Sequence, residues 1–431
     1  MEALRDGTHL TRAFRSRNYR LFFSGQSVSL VGTWITRVAT SWLVYRLTGS
    51  VLLLGIVGFC GQIPTLLLAP FAGVLVDRWD RHRILVVTQA FSLAQSAALA
   101  LLTLGGVITV THVLLLQLMQ GVINAFDTPA RQAFVSEMVE DRADLPNAIA
   151  LNSSMVNGSR ILGPSIGGVV IAAVGEGWCF ALDALSYVAV IASLLAMRLT
   201  PRPRAVRTTG MREELATGFR YVTGFVPVRS ALLLLSLVSI MGMPYTVLMP
   251  AVSANVLHGG PHTLGFLMTA SGVGALGGAL YLASRRSVLG LGRAMAVASA
   301  AFGAGLVAFS LSRTLWLSLV LLPVVGAGMM ITMAATNTII QTIVREELRG
   351  RVMAFYTMAF LGTAPIGSLI AGLAADRIGP QRTILLGGVS CIAAGVWFAM
   401  RLPRLRELVR PIYVERRILA AAQVDGTTKA L

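Results

Sequence analysis

Arg37, Arg160 and Asp183 are side chains of fixed charge that stand deep inside long apolar stretches of this chain. An ionised group at the centre of a bilayer costs about 2.5–3.5 kcal/mol on insertion scales, so each must face a partner or an aqueous cavity. Arg160 lies about 20 Å from the near end of its stretch, at 1.5 Å per helical residue, too far for its side chain to reach the interface. Arg37 and Asp183 lie about 14 and 8 Å from the opposite end of theirs. At that shared outer depth they can pair if their helices touch, and Asp183 is then the carboxylate able to take up a proton when the pair opens. For Arg160 the available partners are helix carbonyls, water or an anionic ligand, whose oxygens suit the planar fork of a guanidinium.

The elements that must hold these residues are apolar helices. Twelve stretches, at 20–47, 51–76, 84–104, 107–127, 148–174, 178–199, 230–255, 263–284, 293–312, 314–341, 352–375 and 382–402, are long enough to span a bilayer, which takes about 20 residues. Hydrophobic residues make up 55% of the chain and charged residues 13%, against about 25% charged in water-soluble domains. Basic residues outside the stretches fall almost entirely in the N-terminal arm, every second connection and the C-terminal tail. By the positive-inside rule, both termini and the long middle connection are cytoplasmic, and the location expected is the cytoplasmic (inner) membrane, multi-pass. The first stretch lacks the flanks of a cleavable signal peptide and is read as a span. Pro64, Pro70, Pro164, Pro244, Pro250, Pro323 and Pro365 predict kinked, movable helices.

The domain reading follows: an arm at 1–19, a six-helix bundle at 20–199, a cytoplasmic linker loop at 200–229, a second bundle at 230–402 and a basic tail at 403–431. Short internal echoes support a duplication. Gln132-x-x-Val135-x-Glu137 follows the fourth span and Gln341-x-x-Val344-x-Glu346 the tenth, while Gly163-Pro164-x-x-Gly167-Gly168 in the fifth has a looser match in Ala364-Pro365-x-Gly367 of the eleventh. The fold class is therefore all-α, with twelve transmembrane helices in two six-helix bundles.

A net charge of +17 raises nucleic acid as a partner, but the basic residues cap apolar spans without forming a patch interleaved with aromatics, so no nucleic-acid partner is expected. Cys60, Cys179 and Cys391 show no metal-ligand spacing and read as packing residues. The five histidines are scattered, and no Gly-rich loop ends in Lys-Ser or Lys-Thr. Neither an enzyme, a metal site nor a cofactor is expected. Energy must come from an ion gradient, the membrane potential or the gradient of a solute.

Between spans two and three stands Gly73-x-x-x-Asp77-Arg78-x-Asp80-Arg81-His82-Arg83, which resembles the signature of the major facilitator superfamily. Asp80 occupies a position where the pattern has Gly. The resemblance implies a cytoplasmic latch of Gly73, Asp77, Arg78, Arg81 and Arg83, with Asp127 at the end of span four as the partner carboxylate. Gly163-Pro164-x-x-Gly167-Gly168 resembles the packing motif of exporter branches, in which small residues let helices approach closely. Arg17-Asn18-Tyr19-Arg20-Leu21-Phe22, Gly25-Gln26, Trp42-Leu43-Val44-Tyr45, Asn337-Thr338-Ile339-Ile340-Gln341 and Arg349-Gly350-Arg351-Val352-Met353 resemble the branch of the enterobactin exporter and macrolide efflux proteins. That likeness covers the chain to about residue 402. Gln117-x-x-Gln120-Gly121 departs from the proton-coupled pattern, which has Arg in place of Gln117.

The resemblance implies a central cavity lined by spans one, four, seven and ten, for which Gln26, Trp34, Gln117, Gln120, Asn124, Tyr245, Asn337 and Gln341 are candidates beside Arg160, with Asn152 and Asn157 on span five. It implies a secondary active transporter working by alternating access: an ion-gradient-driven antiporter, H+ as coupling ion, exporting an amphipathic siderophore or drug-like small molecule. A monomer in the lipid bilayer is expected. An importer or lysophospholipid flippase of the same fold, and a receptor or scaffold that transports nothing, are the competing readings; a cargo-accumulation assay separates them.

Overall fold

The computed structural model describes residues 12–198, 211–285, 287–416 and 418. Among them the regular structure is entirely helical. The first six long helices are α1 (Arg17–Thr48), α2 (Val51–Arg78), α3 (Arg81–Leu104), α4 (Val110–Met138), α5 (Leu145–Val174) and α6 (Glu176–Leu195). A further helix α7 (Met211–Gly224) lies in the stretch read as a linker loop. Then come α8 (Val226–Leu237), α9 (Tyr245–Asn255), α10 (Pro261–Ala283), α11 (Leu291–Leu311), α12 (Leu315–Ile343), α13 (Glu346–Thr357), α14 (Ala364–Ile378) and α15 (Pro380–Glu415). The last runs thirteen residues past the expected end of its span, with Pro403 and Pro411 inside it, so the tail is helical as far as Glu415.

Nine helical stretches among the described residues are long and apolar enough to cross a membrane. The long helices outside that set are α1, α4 and α5, and they carry Arg37, Gln120, Asn124, Asp127 and Arg160. The polar groups that make these helices interesting also lower their hydropathy.

Side-chain caps begin the helices where the sequence turns. The Ser50 and Asp80 side chains accept from the backbone N–H groups of Leu53 and Arg83, and Thr109 forms a capping box with His112. Asp80, the departure from the family pattern, thus does the work of an N-cap for α3. Two proline-bearing spans are interrupted by π-helical turns, Val238–Gly242 ahead of Pro244 and Met358–Gly362 ahead of Pro365. Those turns meet, since the Ser239 hydroxyl donates to the Phe360 carbonyl at 2.6 Å. Such wide turns take up backbone groups that a proline leaves unmatched.

The described residues form two compact units, one within Met1–Arg207 and Ser253–Thr269, the other within Thr208–Val252 and Ala270–Leu431. In the first, α1 packs on α5 and α6, α2 on α4, and α3 on α4 and α6. In the second, α11 packs between α12 and α15. The first unit therefore includes the start of α10, from the second half of the sequence.

Candidate functional site

Helix α1 is fastened at both ends. Asn18 and Arg198 exchange hydrogen bonds of 2.8 and 3.1 Å, joining the start of α1 to the end of the sixth span, and the Tyr19 hydroxyl donates to the Ala148 carbonyl on α5. At the far end Arg46 pairs with Glu176 at 2.7 Å. These contacts give a physical role to the Asn18-Tyr19 pair of the N-terminal motif.

The face of α1 between these ties is set by glycines. A Cβ at Gly163 would overlap that of Trp34, and one at Gly167 would stand 3.2 Å from the Cα of Ile35, so α1 and α5 touch backbone to backbone. Gly168 meets α10 instead, where an added Cβ would stand 3.0 Å from the Cα of Gly265, and the Thr269 hydroxyl donates to the Ile161 carbonyl. Pro164 offers its carbonyl to the same crossing, close to Gly265. All four residues of the packing motif thus serve close helix contacts, while Gly158 meets nothing within 4 Å.

That closeness assembles a cluster of two arginines and one indole. The Arg37 guanidinium carbon lies 4.5 Å from the Trp34 ring centroid and that of Arg160 lies 5.8 Å from the same ring. Arg37 is exposed, and Trp34 and Arg160 are half-buried. The expected Arg37–Asp183 pair does not form. Asp183 is buried at 1% exposure, and one of its oxygens accepts from the Thr36 hydroxyl at 2.9 Å and the Ser96 hydroxyl at 2.8 Å. Its other oxygen has no hydrogen-bond partner and stands against Gly32. The reason is helical geometry: successive residues point about 100° apart, so a helix that presents Thr36 to Asp183 turns Arg37 away.

A second carboxylate is held on α3. Asp127 is 5% exposed and accepts from Thr88 at 3.1 Å and Gln89 at 2.7 Å, with Arg131 at 3.5 Å. Between the two acids α3 presents Thr88, Gln89, Ser92, Gln95 and Ser96, all buried. Gln120 donates to Ser92 at 3.5 Å and to Asn124 at 3.1 Å, and Tyr187 meets Thr33 at 3.5 Å. Sequence reasoning missed this file, although polar residues at i, i+1, i+4, i+7 and i+8 in an apolar span mark one helix face.

Of the latch residues, Arg81 pairs with Glu137 at 2.7 Å, where Asp127 was the expected carboxylate. Asp127 is already engaged by α3 and by Arg131, one turn along its own helix. Glu137 had stood out in the sequence only as part of a repeated motif. Arg78 and Arg83 are exposed, nothing crowds a Cβ at Gly73, and the Asp77 side chain lies outside the described residues.

Among the cavity candidates, Gln26 and Tyr245 are enclosed at 3% and 2% exposure, and the Tyr245 hydroxyl is 2.6 Å from that of Ser271. Both helices bury the face on which these residues lie. Gln117 is half-buried beside Gly61, Asn152 is half-buried, and Asn157 donates to the Ser153 carbonyl of its own helix. In the second unit Gln341 donates to Asn337, one turn earlier on α12. The cysteines are unpaired thiols, Cys179 and Cys391 buried and Cys60 half-buried.

Residues 10–417 match the family described as "Transmembrane secretion effector". The chain is 27% identical over 391 residues to the staphyloferrin A transporter of Staphylococcus aureus, covering 90% of this chain and 97% of that one. It is 30% identical over 387 residues to the multidrug efflux pump Tap of Mycolicibacterium fortuitum, covering 88% and 93%. A solved bacterial homologue of the human lysosomal transporter Spinster matches with a TM-score of 0.65 over 94% of this chain and 97% of that one, and at 14% identity the likeness concerns the fold.

Proposed function

Because the chain belongs to the transmembrane secretion effector family of major facilitator transporters, we propose that it is a secondary active exporter of an amphipathic organic compound, driven by a proton gradient. On this reading α1, α4 and α5 join the nine apolar spans to make twelve transmembrane helices in two bundles, both termini cytoplasmic, working as a monomer in the cytoplasmic membrane without a cofactor. Alternating access then exposes a midplane site to each side in turn.

The observation that carries the transport reading is the near full-length likeness to a staphyloferrin A transporter and a multidrug efflux pump. Proton coupling is supported by Asp183, a carboxylate in the membrane whose partners are neutral hydroxyls. With no fixed counter-charge, gaining or losing a proton changes the net charge of its surroundings by a whole unit. That can favour one conformation over another. Arg81 and Glu137, with the Asp80 cap, are assigned to holding the cytoplasmic ends of α3 and α4.

The test is accumulation of a panel of fluorescent amphipathic dyes in cells with and without the protein, with and without a protonophore. Export lowers the dye inside and the protonophore restores it. Higher internal dye in expressing cells overturns the assigned direction, and protonophore-insensitive efflux overturns the assigned energy source.

A further inference from the structure

We propose that Arg37, Trp34 and Arg160 form a subsite for a carboxylate carried on an aromatic or apolar body. The assignment deepens the exporter reading and rests on it for calling the ligand a cargo. The two guanidiniums lie 4.5 and 5.8 Å from one indole centroid. Among the described residues no carboxylate lies within ion-pair distance of Arg37, and the acid at its depth, Asp183, is turned toward Thr36 and Ser96. Arg37 is exposed, and a guanidinium at this depth is stable against water and not against lipid, so its free face belongs to an aqueous space.

An anion seated beside Trp34 answers the Arg37 charge and lies in the field of Arg160, the second guanidinium on the same ring. A carboxylate fits best because its two oxygens match the paired N–H donors of each fork. The half-buried Trp34 ring offers a flat apolar surface beside that anion, which favours a carboxylate joined to a ring or short hydrocarbon over a small inorganic ion. The scaffold is built for this arrangement: Gly163 brings α5 onto the Cβ of Trp34, and Arg160 lies one turn earlier on the same face of α5. Arg160, Gly163 and Gly167 follow the i, i+3, i+7 spacing of a single helix face.

The experiment is equilibrium binding to the purified full chain in phosphatidylcholine nanodiscs, by calorimetry, with salicylate and its uncharged analogue salicylamide as probes. Wild type is expected to bind salicylate saturably and salicylamide at least about tenfold more weakly, the loss of one charge-assisted contact. Arg37→Gln and Arg160→Gln should each weaken salicylate by about tenfold or more, with Arg37→Lys between wild type and Arg37→Gln. Absence of salicylate binding by wild type, or equal affinity in Arg37→Gln and wild type, overturns the assignment. Should Arg160→Gln fail to fold, the exposed Arg37 series decides alone. A parallel arm with phosphatidylglycerol in the discs separates the two sources of an anion: elimination of salicylate binding there makes a lipid headgroup the occupant and overturns the cargo assignment. Binding needs no gradient, so intact salicylate binding beside a failed accumulation assay would sink the exporter reading and leave the subsite standing.

Discussion

Gly163→Ala adds a single methyl at the closest point between α1 and α5. That carbon overlaps the Cβ of Trp34 and comes within 3.0 Å of the Val31 carbonyl oxygen and 3.3 Å of the Trp34 Cα. Carbon pairs are content at about 3.5–4.0 Å, and the atoms met here are backbone and Cβ, which cannot swing aside. The helices must move apart, at a cost of about 1–3 kcal/mol by analogy with overpacked cores. Alanine recovers part of that, about 0.5–1 kcal/mol, through its better helix propensity. The net expectation is a loss of up to about 2.5 kcal/mol together with a shifted Trp34. Gly158, on the same helix, meets nothing within 4 Å, so Gly158→Ala shows the propensity gain alone. Thermal unfolding of both variants in one detergent should place Gly163→Ala below wild type and Gly158→Ala at or above it. Equal shifts in the two variants would refute the close contact, and with it the account of how Trp34 is positioned.

Asp183→Asn keeps an oxygen that accepts from Thr36 and Ser96 and removes the titrating group, so cargo binding should persist while efflux in everted vesicles stops responding to an imposed pH gradient. Retained proton-driven efflux assigns coupling to another group. Gln89→Leu removes a 2.7 Å bond to the buried Asp127 and should cost about 1–3 kcal/mol; a melting temperature within error of wild type argues against that contact. Glu137→Gln breaks a pair whose side chains are only partly exposed. A loss of about 0.5–1 kcal/mol that shrinks in high salt is expected, and a salt-independent difference would point to packing.

Much of the helical framework was legible because apolar length and the alternation of basic connections are one-dimensional signals. The breaks caused by Pro244 and Pro365 were legible as kinks, though their form as π turns was not, since that depends on which carbonyls find donors across the fold. Arg37, Asp183 and Arg160 were legible as residues needing partners, because burial of charge is costly in any arrangement. Which partner each takes was not. Depth along a helix can be read from residue number, but the face depends on rotation, and a rotation of one residue separates Thr36 from Arg37. Glu137 illustrates the same gap, since only the packing of α3 on α4 brings Arg81 to it instead of Asp127.

The file on α3 shows how neutral polar side chains can hold an acid: Asp127 has Arg131 beside it as well, whereas the partners of Asp183 are hydroxyls alone. Asp127 is bonded at Thr88 and Gln89 and Asp183 two turns further along at Ser96, with Ser92 and Gln95 between, each of the five at most 6% exposed. A basic residue in the file would fix one acid as a permanent anion and would itself be stranded whenever that acid took up a proton. Hydroxyls and amides can donate to a carboxylate and can also rotate to accept from a carboxylic acid, so they serve both charge states at little cost. Gln89 and Gln120 each keep a buried carbonyl oxygen without a partner, leaving acceptor capacity for such rearrangement. Charge in the first unit is then met in different ways: Arg46, Arg81 and Arg131 stand beside carboxylates, Arg37 is exposed, and Asp183 is held by hydroxyls, where under proton coupling its charge depends on a proton.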